Sequence, residues 1–229
     1  TSAFSWTDYL NATEDDTNGT VSITTSGVEN GQTLTITLNG QSYTNTVTDN
    51  ATTVTITAGG LQGLTEGSVT MTADVSDAAG NAAAQVTSSA FTYDMTAPTV
   101  SATMSDSALK SGETATLTIT FSEAVTAFAN ADLTIPNGSL TAVSSADGGT
   151  TWTATYTPDA DVEDTSNVIS IATSYTDLAG NAGAAGQTAN FEIDTLLPTI
   201  TSITSDTNDG SYNQGDEINV IATFSEAVS

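Results

Sequence analysis

Thr176-Asp177-Leu178-Ala179-Gly180-Asn181 is the stretch that decides the fold, because its core stands 100 residues earlier as Asp77-Ala78-Ala79-Gly80-Asn81. Each copy is followed at the same interval by a phenylalanine, Phe91 or Phe191, and then by Asp94-x-x-x-Pro98-Thr99 or Asp194-x-x-x-Pro198-Thr199. A period near 100 residues is too long for a solenoid unit and matches the size of a β-sandwich domain. The chain therefore reads as a tandem array of folded modules. Phe121-Ser-Glu-Ala-Val125 returns as Phe224-Ser-Glu-Ala-Val228 just before the last residue, so a third copy is expected to begin there. The 229 residues look like an excerpt from something longer.

Outward from these loops, Thr and Ser alternate with apolar residues at the spacing of half-buried strands. Thr33-Leu-Thr-Ile-Thr-Leu38, Thr116-Leu-Thr-Ile-Thr-Phe121 and Ile218-Asn-Val-Ile-Ala-Thr-Phe224 show the pattern. Short strands separated by Gly, Asn, Asp and Pro predict an all-β chain of immunoglobulin-like antiparallel sandwiches arranged end to end. Residues 1–95 form one repeat with a leader at 1–18, residues 96–195 a second, and residues 196–229 the truncated start of a third. Trp152, Ala154 and Tyr156 share one face of a strand and are assigned to the core. Threonine rows such as Thr53-Val-Thr-Ile-Thr57 follow from amphipathic strand pairing rather than from an ice-binding face, since they lie on separate small sandwiches.

Twenty-seven acidic residues against the single base Lys110 give a formal charge of −26, with no histidine and no cysteine. One lysine cannot drive the counterion release on which nucleic-acid binding depends, nor hold the chain to an anionic membrane surface. No apolar run is long enough to span a bilayer. Without histidine or cysteine the usual bases and nucleophiles are missing, and no pair of carboxylates is set apart for glycoside chemistry, so the chain is not read as an enzyme. The remaining ligands are carboxylates, amides and carbonyls. These hard oxygen donors suit Ca2+ and not zinc, copper or iron.

In an immunoglobulin-type sandwich the start of the first strand shares an end with the B–C and F–G loops. Asp94 on the linker, Glu123 in the B–C loop, and Asp177 and Asn181 in the F–G loop are therefore expected to converge between modules one and two around a Ca2+ ion. The second junction offers Asp194 and Glu226. At the free end, Asp77 and Asn81 are expected to meet Asp8, Asn11 and Glu14 in the same manner. The alternative reading of Asp-x-Ala-Gly-Asn is a tight turn in which Asp caps backbone N–H groups.

Several motifs resemble one family. Asp8-Tyr-Leu-Asn-Ala-Thr-Glu14, Gly27-Val-Glu-Asn-Gly-Gln-Thr33, Leu38-Asn-Gly-Gln41 and Ala73-Asp-Val-Ser-Asp-Ala-Ala-Gly-Asn81 are similar to bacterial immunoglobulin-like repeats of giant cell-surface and biofilm adhesins. Ile119-Thr-Phe-Ser-Glu-Ala-Val125, Ala131-Asp-Leu-Thr134 and Thr176-Asp-Leu-Ala-Gly-Asn181 resemble a sister repeat type. Many such adhesins are exported by type I secretion. The resemblance implies an extracellular extender on a bacterial surface, with calcium stiffening the junctions and neighbouring repeats of the same chain as partners. Two other roles compete with the spacer: lateral self-assembly into a layer, sheath or filament, and carbohydrate binding through Trp6, Trp152 or Tyr212.

Overall fold

The computed structural model describes residues 2–228. Alternation sets the strands: in Ala115–Phe121 every second side chain is buried, as the Thr-apolar repeat requires. The first part of the chain carries β1 (Ser2–Phe4), β2 (Tyr9–Asn11), β3 (Gly19–Thr24), β4 (Thr33–Leu38), β5 (Gln41–Thr46) and β6 (Ala51–Ile56). A short helix α1 (Ala58–Leu61) leads to β7 (Gly67–Val69), β8 (Thr72–Val75), β9 (Val86–Thr87) and β10 (Phe91–Asp94). The sheet β1-β3-β6 faces β5-β4-β8-β9, and β2-β10-β7 completes the sandwich. Val21, Leu34, Ile36, Val54 and Ile56 fill the space between them.

The second part repeats this plan with β11 (Val100–Met104), β12 (Ala108–Lys110), β13 (Ala115–Phe121), β14 (Val125–Thr126), β15 (Leu133–Thr134), β16 (Gly138–Leu140) and β17 (Ser144–Ser145). It continues with β18 (Thr151–Pro158), β19 (Glu163–Asn167), β20 (Ser170–Ile171), β21 (Thr176–Asp177), β22 (Gly186–Gln187) and β23 (Phe191–Asp194). The order β11-β13-β18-β16 makes one sheet, with β12-β23-β19 and β15-β20-β22 opposite. Its core is separate from the first and includes Leu117, Ile119, Ala154-flanking Tyr156, Ile171 and Tyr175. Trp152 packs partly buried against it, in line with the core assignment. Finally β24 (Ile200–Ser205) pairs with β25 (Val220–Phe224), both strands exposed along their length.

Two pairings are parallel and were not visible in the periodicity. β2 runs beside β10 with Asn11 opposite Asp94, and β12 runs beside β23 with Lys110 opposite Asp194. The first eighteen residues are thus no separate leader in space. β1 pairs with β3, while Trp6 and Leu10 are buried in the core. Gly19 makes room for this, since a Cβ there would stand 2.4 Å from the Trp6 ring. No helix among the described residues is long and apolar enough to cross a membrane.

Candidate metal centre between the sandwiches

The two Asp-x-Ala-Gly-Asn loops share their Asp–Asn hydrogen bonds and differ in one other: Gly80 N donates to Asp77 O at 3.0 Å, Gly180 N to Asp177 Oδ1 at 2.7 Å. In each, the Asp N–H donates to the Asn carbonyl, at 3.0 Å for Asp77 and 3.1 Å for Asp177. The Asp Oδ1 accepts from the Asn N–H at 2.7 and 2.9 Å, and Oδ2 accepts from the Asn side-chain amide at 2.8 Å in both. Gly80 and Gly180 adopt φ of 90° and 97°, the left-handed region that glycine enters without a Cβ penalty. As a turn, the motif satisfies itself.

What meets the loop differs. Asp94, Glu123 and Asp177 each bring a carboxylate oxygen within 4.8 Å of the others, the only such acidic group among the described residues. Two oxygens bound to one Ca2+ at about 2.4 Å can lie at most about 4.8 Å apart, so the three fit a single ion. Burial pushes the Asp94 carboxyl above its ordinary value; a hydrogen bond from Thr96 N opposes this, and the charges of Asp177 and Glu66 add to the rise. Glu123 is pushed up by burial first and then by Asp94, Asp177 and Glu66. The shifts of Asp94 and Glu123 thus share two causes, partial burial and the crowding of like charges.

Asn181 joins this cluster as a bracket. Its Nδ2 donates to Asp94 O at 2.9 Å and to Asp177 Oδ2, while its Oδ1 accepts from Ala12 N at 3.1 Å. Asn11 Nδ2 donates to Ala179 O at 2.8 Å. The linker is tied as well: Glu66 Oε1 accepts from Met95 N at 2.9 Å and Thr96 Oγ1 at 2.8 Å, and Thr99 exchanges two bonds with Ser122.

The expectation for Asp8, Asn11 and Glu14 is corrected. They do not meet Asp77 and Asn81, because parallel pairing with β10 carries Tyr9–Asn11 toward the exit of the first sandwich. Asn11 stands beside Asp94 and reaches the second sandwich, Glu14 accepts from Asn11 N at 3.2 Å, and Asp8 is exposed with its carbonyl on Thr92 N. At the Asp77 loop the acidic neighbour is Glu29, which accepts from Ala78 N at 3.1 Å. Asp194 and Glu226 belong to no cluster of three or more acidic side chains among the described residues. Asp194 lies between Lys110 and Glu163 in register, and Glu226 Oε1 is buried without a hydrogen-bond partner among the described residues.

Sequence reasoning missed two features. Glu66 follows from the register: Gly67 faces Tyr93, which sets Glu66 next to Asp94, just as Glu163 faces Asp194. The Asn11-to-Glu14 turn recurs as Lys110-to-Glu113, with Lys110 N donating to Glu113 Oε2 at 3.2 Å. Each exit Asp is thus flanked by an acid on one side and by an amide or an ammonium on the other. Of the three aromatics weighed for sugar binding, Trp6 is 6% exposed and Trp152 packs on Phe128, which leaves only Tyr212 exposed.

The architecture defines an immunoglobulin-like β-sandwich protein. Residues 94–193, which span the second sandwich, match the family described as bacterial Ig-like domain. A Ca2+-stabilised adhesin with which an Antarctic bacterium binds ice is similar at 22% identity, over 90% of this chain and 51% of its own, with a TM-score of 0.49. A 1.5-MDa bacterial ice-binding adhesin is similar at 20% identity, over 87% of this chain and 64% of its own, with a TM-score of 0.51. A bacterial immunoglobulin-like domain from the M. primoryensis ice-binding adhesin is 31% identical over 38% of this chain and 84% of its own, with a TM-score of 0.30. This chain spans 51% and 64% of the length of the first two solved chains. No curated protein matches.

Proposed function

We propose that the chain is a calcium-stiffened extender segment of a large extracellular bacterial adhesin, holding an adhesive region away from the cell and serving adhesion or biofilm. Residues 1–95 and 96–195 are taken as successive Ig-like units and residues 196–229 as the start of a third. The hairpin β24–β25 supports this last assignment, because Thr199 exchanges two bonds with Ser225 as Thr99 does with Ser122.

One observation carries the reading: carboxylates from the linker, the B–C loop and the F–G loop meet at the boundary with no base among them. A Ca2+ ion held by Asp94, Glu123 and Asp177, with Glu66 adjacent, supplies the missing positive charge and ties the linker to both loops of the second unit. The ion and the Asn11–Asn181 bracket together fix the interdomain angle. Calorimetric titration of Ca2+ into the metal-free chain, with X-ray scattering before and after EGTA, tests this. Binding heat lost in Asp94→Asn and a scattering profile that broadens on chelation are expected. A chain that takes up no calcium and scatters identically in EGTA refutes the stiffening.

A further inference from the structure

The two sandwiches differ at the end where the chain enters them. Matching hydrogen bonds fix the correspondence. Ser5 N donates to Thr20 O at 2.9 Å as Ser105 N does to Thr116 O at 2.9 Å, and Thr25 N to Asn50 O as Phe121 N to Thr150 O, both at 2.9 Å. Ala83 N donates to Val75 O at 2.9 Å as Gly183 N does to Tyr175 O at 3.0 Å. Thr25 therefore stands where the second sandwich has Phe121, Val75 where it has Tyr175, and Ser26 where it has Ser122.

In the second sandwich this end is full. The rings of Phe121 and Tyr175 lie 4.8 Å apart, and Phe128 packs on both. Pro98–Val100 closes the edge: Pro98 O accepts from Ala184 N at 3.2 Å, Thr99 exchanges bonds with Ser122, and Val100 lies over Gly186. In the first sandwich the same place is a cleft of about 450 Å3, bounded by Ile23, Ser26, Leu34, Met71, Val75 and Val86. Thr25 Oγ1 is buried there without a hydrogen-bond partner among the described residues. Among the described residues neither Ser26 nor Ala84 makes the bonds that Ser122 and Ala184 make. Val86, at 63% exposure, is the most exposed large apolar side chain of the first sandwich.

We infer that this cleft is a docking slot for an extended peptide of the Pro-Thr-aliphatic pattern, the kind of segment by which one Ig-like unit enters the next. Its threonine carbonyl accepts from Ser26 N and its threonine N–H donates to Ser26 Oγ, as Thr99 does with Ser122, and its proline carbonyl accepts from Ala84 N. Val86 occupies the place of Gly186, so the aliphatic side chain sits deeper, in the volume that Phe121 and Tyr175 fill in the second sandwich. Continuity with the occupied slot at residues 98–100 argues for this occupant. The slot lies at the opposite end of the first sandwich from Asp94 and is independent of calcium.

The test is an N-terminal extension of the full chain by the sequence of Asp94–Val100, placed directly before Thr1 and studied in EGTA. Amide exchange at Ser26 and Ala84 should slow about tenfold or more, with a rise in the melting temperature of the first sandwich. Unchanged exchange at both amides in the folded, extended chain overturns the slot. An extension with three glycines in place of Pro-Thr-Val should protect neither amide, and equal protection by it overturns the sequence pattern. Should the extended chain fail to fold, the acetylated peptide Asp94–Ser101 is titrated to millimolar levels into the original chain. Saturable resonance shifts at Ser26, Ala84 and Val86 support the slot, and their absence refutes it.

Discussion

The loops Asp77–Asn81 and Asp177–Asn181 share the Asp-x-Ala-Gly-Asn pattern, the Asp–Asn hydrogen bonds and the glycine conformation, yet only one carries a candidate site. Asn81 is exposed and Asp77 is half-exposed, whereas Asp177 and Asn181 are 1% and 7% exposed beneath Asp94 and the Asn11 turn. Hydrogen bonds from Asn81 hold the Asp77 carboxyl below its ordinary value. The chemistry thus comes from what the chain docks onto the loop. The motif supplies a rigid platform and no more.

The largest effect that would sharpen this contrast lies in the cores beneath the two loops. Tyr175→Ala should destabilise the second sandwich by about 3–5 kcal/mol, by analogy with other large aromatic deletions. Val75→Ala at the matching position should cost about 1–2 kcal/mol, because the cleft beside it already forfeits packing. Urea unfolding followed separately for each sandwich reads the difference, and equal losses would erase it.

Calcium removal comes next. At ten to a hundred times the dissociation constant, one site contributes about 1.4–2.7 kcal/mol, so EGTA should lower the melting temperature of the chain. Asp94→Ala combined with Asp177→Ala should cost little beyond either change alone if both hold one ion. Asp77→Ala should leave the calcium response intact. A loss of calcium response in Asp77→Ala would place the ion at the wrong loop.

A smaller difference is expected for the amides. Asn181→Ala removes bonds to Asp94 O and Ala12 N as well as the loop's own, and should weaken coupling between the sandwiches by about 1 kcal/mol per bond lost. Asn81→Ala should affect its own loop alone. Double-mutant cycles with Asn11→Ala measure the coupling directly.

The smallest effect is one of sign with pH. Asp94 and Glu123 have folded-state values above the ordinary 3.8 and 4.5, so without metal the folded state takes up protons first. The junction should gain stability as pH falls from neutral through those raised values, and the gain is complete below 3.8. Asp77 runs the other way: its lowered value contributes stability above 3.8 that is lost as pH falls through its folded value. With calcium bound, acid instead displaces the ion and the junction should weaken. Exchange at the Asp177 and Asp77 loops between pH 7 and about 4 distinguishes the three cases.

Much of this was legible in the residues. Alternation in Thr116–Phe121 gave the strand and its buried face, and the 100-residue recurrence aligned the two F–G loops. The meeting of Asp94, Glu123 and Asp177 followed from where an immunoglobulin-type sandwich puts its loops. The Asn11 and Lys110 correspondence was hidden because the two turns share only their glutamate. The parallel pairing that places them depends on register across the sandwich, which no local pattern encodes. Glu66 was hidden for the same reason: it lies 28 residues from Asp94 in sequence and adjoins it only through the partner of Tyr93.

Those parallel pairs have a mechanical corollary. In each sandwich an early strand lies hydrogen-bonded beside the strand by which the chain departs, pointing the same way. A pull on the two termini of such a unit slides one strand along the other, so every bond between them resists at once and none can be peeled singly. A force between the termini is borne by those few residues, Tyr9–Asn11 against Thr92–Asp94 and Ala108–Lys110 against Glu192–Asp194.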